Sequence, residues 1–170
     1  AWRQYDEALR LHRAVQTQGQ IVEALAPEGL RARKLRDAAW SFGEDHVSAV
    51  CRAAGWPRIT FDDNFAPSLG GRPYGLLSES EQYRVRAAIQ IAMALIDESD
   101  AILLDGVEVL DRAGRNGLAQ AMVACPTPIL AALTTEDAGR NPPPNLDAVG
   151  KGRTYWIADG TARPWGEMMK

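Results

Sequence analysis

Ser78, Glu79, Ser80 and Glu81, in the run LLSESEQ, stand immediately ahead of a long apolar-periodic stretch. Ser78 and Glu81 form an S-x-x-E pair, in which the serine side chain accepts an N–H of the new helix and the glutamate reaches back. Such a cap is worth roughly 1 kcal/mol to a helix with no ligand at all. The same helix start carries free N–H groups and the positive end of the helix dipole, which suit a phosphate. The two readings are compatible, except that Glu79 and Glu81 repel an anion unless they point away.

Three further groups follow. Asp105 ends the apolar run AILLD. Aspartate is depleted in strands, and at the carboxyl end of one, beside a nucleotide, it typically holds Mg²⁺. Glu108 and Asp111 lie in an acidic loop just beyond. Glu108 is a candidate general base, or a solvated loop acid, and Asp111 suits a helix N-cap. Thr134 and Thr135 close a second apolar run, PILAALTT. Open α/β sheets gather their ligands at the carboxyl ends of strands, so Asp105 and Thr134–Thr135 are expected to converge. Arg72, in GGRPY, reads as a turn residue, with a phosphate contact as the alternative.

The elements that position these residues follow from periodicity. Residues 1–26 have a helical composition without proline, but Leu9, Leu11, Val15, Ile21, Val22 and Leu25 are spaced too loosely for one buried face. That helix reads as an arm leaning on a partner. Pro27 suits a first helical turn, and apolar residues from Leu30 to Ala54 then supply a core-facing side. A short β-type run spans 59–61, and PSLGGRPYG is turn-rich. From Glu79, the residues Val85, Ala88, Ile89, Ala92, Leu95 and Ile96 mark a buried helical stripe. Residues 101–105 and 128–135 read as fully buried strands with a helix over 112–124 between them, a parallel α/β unit. A Pro/Gly-rich loop covers 139–152, and Asp159-Gly160 signals a hairpin with a type I′ turn.

Bulk properties bound the function. At 170 residues the chain is most simply one domain, or one lobe of something larger. An apolar fraction of 46% argues against wholesale disorder. The net charge of −3 offers no positive case for nucleic acid. Cys51, Cys125, His12 and His46 lack metal-ligand spacing. No run approaches the roughly 20 apolar residues of a membrane span and no signal peptide opens the chain, so a cytoplasmic protein is expected. The start at Ala1, inside a helical composition, is that expected of a fragment.

Taken in order, the motifs resemble the C-terminal half of an ABC-type ATPase head, of the structural-maintenance-of-chromosomes, RecF- and RecN-like group. LLSESEQ resembles the signature, AILLDG the Walker B strand, VEVLD the D-loop region and LAALTT the switch strand. The preceding helices resemble the returning coiled-coil arm, and the likeness covers about residues 20–137. It implies an α/β fold: the C-terminal lobe of a P-loop head, with parallel strands flanked by helices, a helical arm over 1–54 and the lobe over 55–170, ending in a hairpin. It implies ATP and Mg²⁺ as cofactors, with Asp105 as metal ligand and Asp105 and Glu108 catalytic. Ser78, Glu79, Ser80, Glu81, Asp111 and Thr135 would meet the nucleotide. The implied partners are the N-terminal half of the same ATPase, a second head and, through the assembled complex, DNA in repair, recombination or chromosome maintenance.

Departures from the pattern set the alternatives. No G-x-x-x-x-G-K-[ST] occurs; around Lys151, Asn145 stands in the first glycine's place and Gly152 in that of Ser/Thr. Glu79 and Ser80 replace the two signature glycines. Gly106 stands where a hydrolytic glutamate follows the Walker B aspartate, leaving Glu108 as the substitute, and Thr135 takes the switch histidine's place. ATP hydrolysis is thus expected only on joining the Walker A half. A head that binds ATP but hydrolyses it poorly is the second reading, and a transporter's nucleotide-binding subunit the third.

Overall fold

The computed structural model describes residues 2–134, 145–148 and 150–165. It is a mixed helical and β structure with small parallel and antiparallel sheets. The first helix, α1 (Trp2–Leu25), buries none of its residues; Trp2 is 85% exposed and Val22 69%. A helix without a buried face is what the loose apolar spacing predicts.

The second helix, α2, spans Leu30–Ser41 and starts three residues later than Pro27 suggests. Pro27 instead occupies the second position of a turn closed by the Gly29 N–H on the Ala26 carbonyl at 2.8 Å, a position proline favours. Glycine is required at the fourth position, because a Cβ on Gly29 would lie 2.5 Å from the Ala24 carbonyl oxygen.

A π-helical segment, Phe42–Val47, follows α2 without a break and leads into α3 (Ser48–Ala54). Gly55, at φ +64°, ends α3 in the left-handed conformation. Val47, Val50, Cys51 and Ala54 before this turn pack in the same core as Ile59 and Leu69 after it. An antiparallel sheet comes next, formed by β1 (Ile59–Phe61), β2 (Pro67–Leu69) and β3 (Arg72–Pro73). The fourth helix, α4 (Glu79–Ile96), buries Tyr83, Val85, Ala87, Ala88, Ile91 and Ala92. Its stripe is wider than the sequence suggests because α3, α5, the π-helical segment and β4 all meet it. Ile96, placed in the stripe by spacing, is 48% exposed at the helix end.

The strands β4 (Ile102–Leu104) and β5 (Ile129–Ala131) run parallel, joined through α5 (Arg112–Ala124). They are not the fully buried strands that their composition predicts. Ile102 and Leu104 face the core, but Leu103 and its register partner Leu130 are 59% and 67% exposed. Helix α4 packs on β4, and the face carrying the two leucines stays open. The closing hairpin, β6 (Tyr155–Ala158) and β7 (Thr161–Pro164), turns through Asp159 at φ +49° and Gly160 at φ +72°, as a type I′ turn requires. Among the described residues, no helix is long and apolar enough to cross a membrane.

Helix α3 packs against α5. A Cβ on Gly117 of α5 would strike Trp56 Nε1 and lie 2.5 Å from the Ala54 carbonyl oxygen. Neither the backbone nor the buried indole can yield cheaply, so Gly117→Ala is expected to cost about 1–3 kcal/mol through overpacking. Urea denaturation reads this directly: the midpoint should fall at unchanged slope, and an unchanged midpoint contradicts the packing described.

Candidate functional site

The site is built on two helix starts and two strand ends. At the first helix start, Ser78 is extended (φ −63°, ψ 161°) and caps α4. Both halves of the capping box form: Ser78 Oγ accepts the Glu81 N–H at 3.4 Å, and Glu81 Oε2 accepts the Ser78 N–H at 2.9 Å. The Ser78 hydroxyl also donates to Glu81 Oε2 at 2.9 Å, and the Arg72 guanidinium pairs with Oε1. Arg72 therefore braces the cap from β3. These donors, the Ser78 N–H first and then Arg72 and the Ser78 hydroxyl, hold the Glu81 carboxyl down to about 2. Glu81 thus faces inward to the cap, while Glu79 is exposed. The N–H groups of Glu79 and Ser80 have no internal acceptor among the described residues, as expected for the first helical turn.

The second helix start lies against the first. Asp111 caps α5, its Oδ1 accepting the Gly114 N–H at 2.7 Å and an Arg84 guanidinium N–H at 2.7 Å. The Gly114 N–H, then Arg84, keep the Asp111 carboxyl below its ordinary range. Ser80 Oγ accepts the Asp111 N–H at 3.5 Å, so the start of α4 touches the acidic loop some 30 residues later in the chain.

At the strand ends, Asp105 Oδ1 accepts the Gly106 N–H at 2.9 Å. Gly106 adopts φ +76°, a left-handed turn that a side chain would strain. A short 3₁₀ turn, Val107–Val109, then brings Glu108 Oε2 within 3.1 Å of the Thr134 N–H. The Val107 N–H on the Ala132 carbonyl (3.1 Å) and the Ala132 N–H on the Leu104 carbonyl (2.8 Å) tie the same two segments. Asp105, Glu108 and Thr134 are therefore gathered at one end of the parallel pair. Thr135 lies outside the described residues.

Sequence reasoning missed two residues. Arg84 reaches Asp111 from α4, a pairing across 27 positions that no local motif announces. Tyr83 is 7% exposed, with a hydroxyl that has no partner among the described residues and a ring lying beneath Gly106. Burial pushes its phenol up, with the Asp105 and Glu108 charges acting the same way and Arg86, stacked 5.7 Å from the ring centre, opposing them. A tyrosine within an apolar stripe reads as core, so only the structure reveals its ring packed against Gly106. Among the described residues, no group of three or more His, Cys, Asp or Glu could hold a metal alone.

The Glu81 interactions give a pH prediction. The folded state favours the carboxylate, so its contribution is complete above the unfolded value of about 4.3 and is lost as pH falls toward 2. Glu81→Gln should lower stability at pH 7 and flatten the loss between about pH 4.3 and 2. Urea midpoints of both proteins across that window check this, and parallel curves contradict it.

Compared with known proteins, the chain matches no family model and no curated protein sequence.

Proposed function

We propose that this chain is the C-terminal lobe of an ATPase head of the structural-maintenance-of-chromosomes and RecF-like kind, working with a Walker A-bearing half and a second head. The observation that carries the reading is the meeting of Asp105, Glu108 and Thr134 at the carboxyl end of a parallel strand pair. There an open α/β sheet places its ligand. Beside it stands α4, capped at Ser78 with free N–H groups at Glu79 and Ser80. The open face of Leu103 and Leu130 also supports a second lobe, because parallel sheets are ordinarily covered on both sides.

In this reading Asp105 would hold Mg²⁺, which neutralises phosphate charge during in-line transfer. Glu108 would accept the proton of the attacking water. The first turn of α4 would donate its N–H groups to the γ-phosphate of ATP held by the other head. Paired heads of this kind would act on DNA in repair, recombination or chromosome maintenance. One observation favours a head that binds ATP yet turns it over slowly: the Glu108 carboxylate is already engaged by the Thr134 N–H, and Gly106 supplies no alternative base.

Ser78→Asp would be an ambiguous probe, because it sets a carboxylate against Glu81, which the Ser78 hydroxyl now serves. Ser80→Asp is cleaner. An aspartate at the second helical position suits the dipole and can still accept the Asp111 N–H. Its charge would oppose a phosphate, weakening ATP-driven head pairing about tenfold or more. Size-exclusion chromatography of heads assembled with the Walker A half, with and without ATP–Mg²⁺, is the test, with a urea curve alongside. Retained stability with lost pairing fits the proposal; normal pairing and turnover would return this helix start to a purely structural role.

A further inference from the structure

A cavity of about 390 Å³ lies between the end of α2, the π-helical segment and β1. None of Ser78–Glu81, Asp105, Glu108 or Asp111 lines it. Its volume falls in the range of small-ligand pockets. The floor is apolar, made by Gly43, Ile59 and Phe61, and depends on glycine: a Cβ on Gly43 would lie 3.0 Å from the Phe61 ring. Two aromatic side chains, Trp40 (69% exposed) and Phe65 (48% exposed), stand in the wall with their faces available to solvent.

The charges in the wall point one way. Four carboxylates and two guanidiniums line the cavity. Both guanidiniums are engaged, Arg36 by Glu28 at 2.8 Å and Arg58 by Glu44. Asp62 is committed as well, its Oδ1 accepting the N–H groups of Asn64 and Ala66 at 2.9 and 2.8 Å. Asp37 and Asp63 make no hydrogen bond or ion pair among the described residues, and their charges act on Arg36. The cavity therefore carries two carboxylates without a hydrogen bond or ion pair among the described residues, beside two exposed aromatic side chains.

We propose that this cavity receives an arginine side chain presented by a partner polypeptide. A guanidinium is planar, weakly hydrated and able to stack on rings while donating to carboxylates, which lysine's compact ammonium does less well. Its methylene stem suits the floor of Gly43, Ile59 and Phe61. An anion meets the two aspartates as like charge, and a neutral apolar group would make no use of them. The exposed rings at Trp40 and Phe65 extend the contact outward, giving the partner's main chain a surface to lie on.

The test uses the full chain and nuclear magnetic resonance, following the indole N–H of Trp40 during titration with N-acetyl-arginine amide. The neutral isostere N-acetyl-citrulline amide, spermine and an arginine-bearing hexapeptide are titrated in parallel. The expected result is a saturable shift with the arginine compound, none with citrulline, and tighter binding of the hexapeptide than of spermine. Asp37→Asn with Asp63→Asn should weaken the arginine compound about tenfold or more, as loss of charged hydrogen bonds predicts. Both positions are exposed, so the double variant should melt like the parent, and Trp40→Leu supplies a second check through reduced affinity read at neighbouring amides. No saturable shift, equal response to citrulline, or unchanged affinity in the double variant overturns the proposal. Spermine binding more tightly than the hexapeptide overturns the polypeptide partner and assigns the cavity to small amines.

Discussion

The pairing of Arg84 with Asp111 holds the start of α4 against the start of α5, and the geometry of the site depends on it. Arg84 is the partner with more to lose: its side chain is only 16% exposed, against 59% for Asp111. A guanidinium buried to that degree is costly without a carboxylate, so removing Asp111 would strand a charge as well as uncap α5. The fit is close. A Cβ on Gly114 would lie 2.8 Å from Asp111 Oδ1 and 3.1 Å from Arg84 Nε, so a side chain there would have to push the capping carboxylate aside. Through it the cap at Ser78, the touch of Ser80 on the Asp111 N–H and the turn at Asp105 keep a fixed relation.

A second constraint pulls the other way. Helix α4 uses small residues, Ala87, Ala88 and Ala92, to lie close over its neighbours, and Ile91 and Leu104 fill the space between. Among the described residues the opposite face of β4 and β5 has no such cover, and Leu103 and Leu130 are both exposed there. The strand ends are thus rigid on the core side and open on the other. That asymmetry suits a surface completed by a second lobe, and it explains why a composition typical of two-sided burial occurs on strands buried on one side.

Much of this was legible in the sequence where the controlling forces are local. The S-x-x-E spacing gives the cap at Ser78, Asp111 before Arg112 gives the second cap, and Asp159-Gly160 gives the hairpin turn. The parallel strand pair followed from two apolar runs separated by a helix. What escaped is what depends on distant contacts. The π-helical segment is hidden because Phe42 to Val47 reads as uninterrupted helix, and the contact of Phe42 with Phe61 is a distant one. Arg84 and Tyr83 look like one surface and one core residue of α4 until Asp111 and Gly106 are brought beside them. The exposure of Leu103 could not be read either, since periodicity reports composition and not how many layers cover a strand.

The central claim is that the first turn of α4 is an anion site completed by nucleotide on another head. Hydrogen exchange of the amides of Glu79 and Ser80 measures this most directly, because neither has an internal acceptor among the described residues. In heads assembled with the Walker A half, both amides should exchange rapidly without nucleotide and slow strongly with ATP–Mg²⁺, while the buried amides of α4 around Ile91 change little. Rapid exchange at Glu79 and Ser80 in ATP-bound, paired heads would contradict the claim.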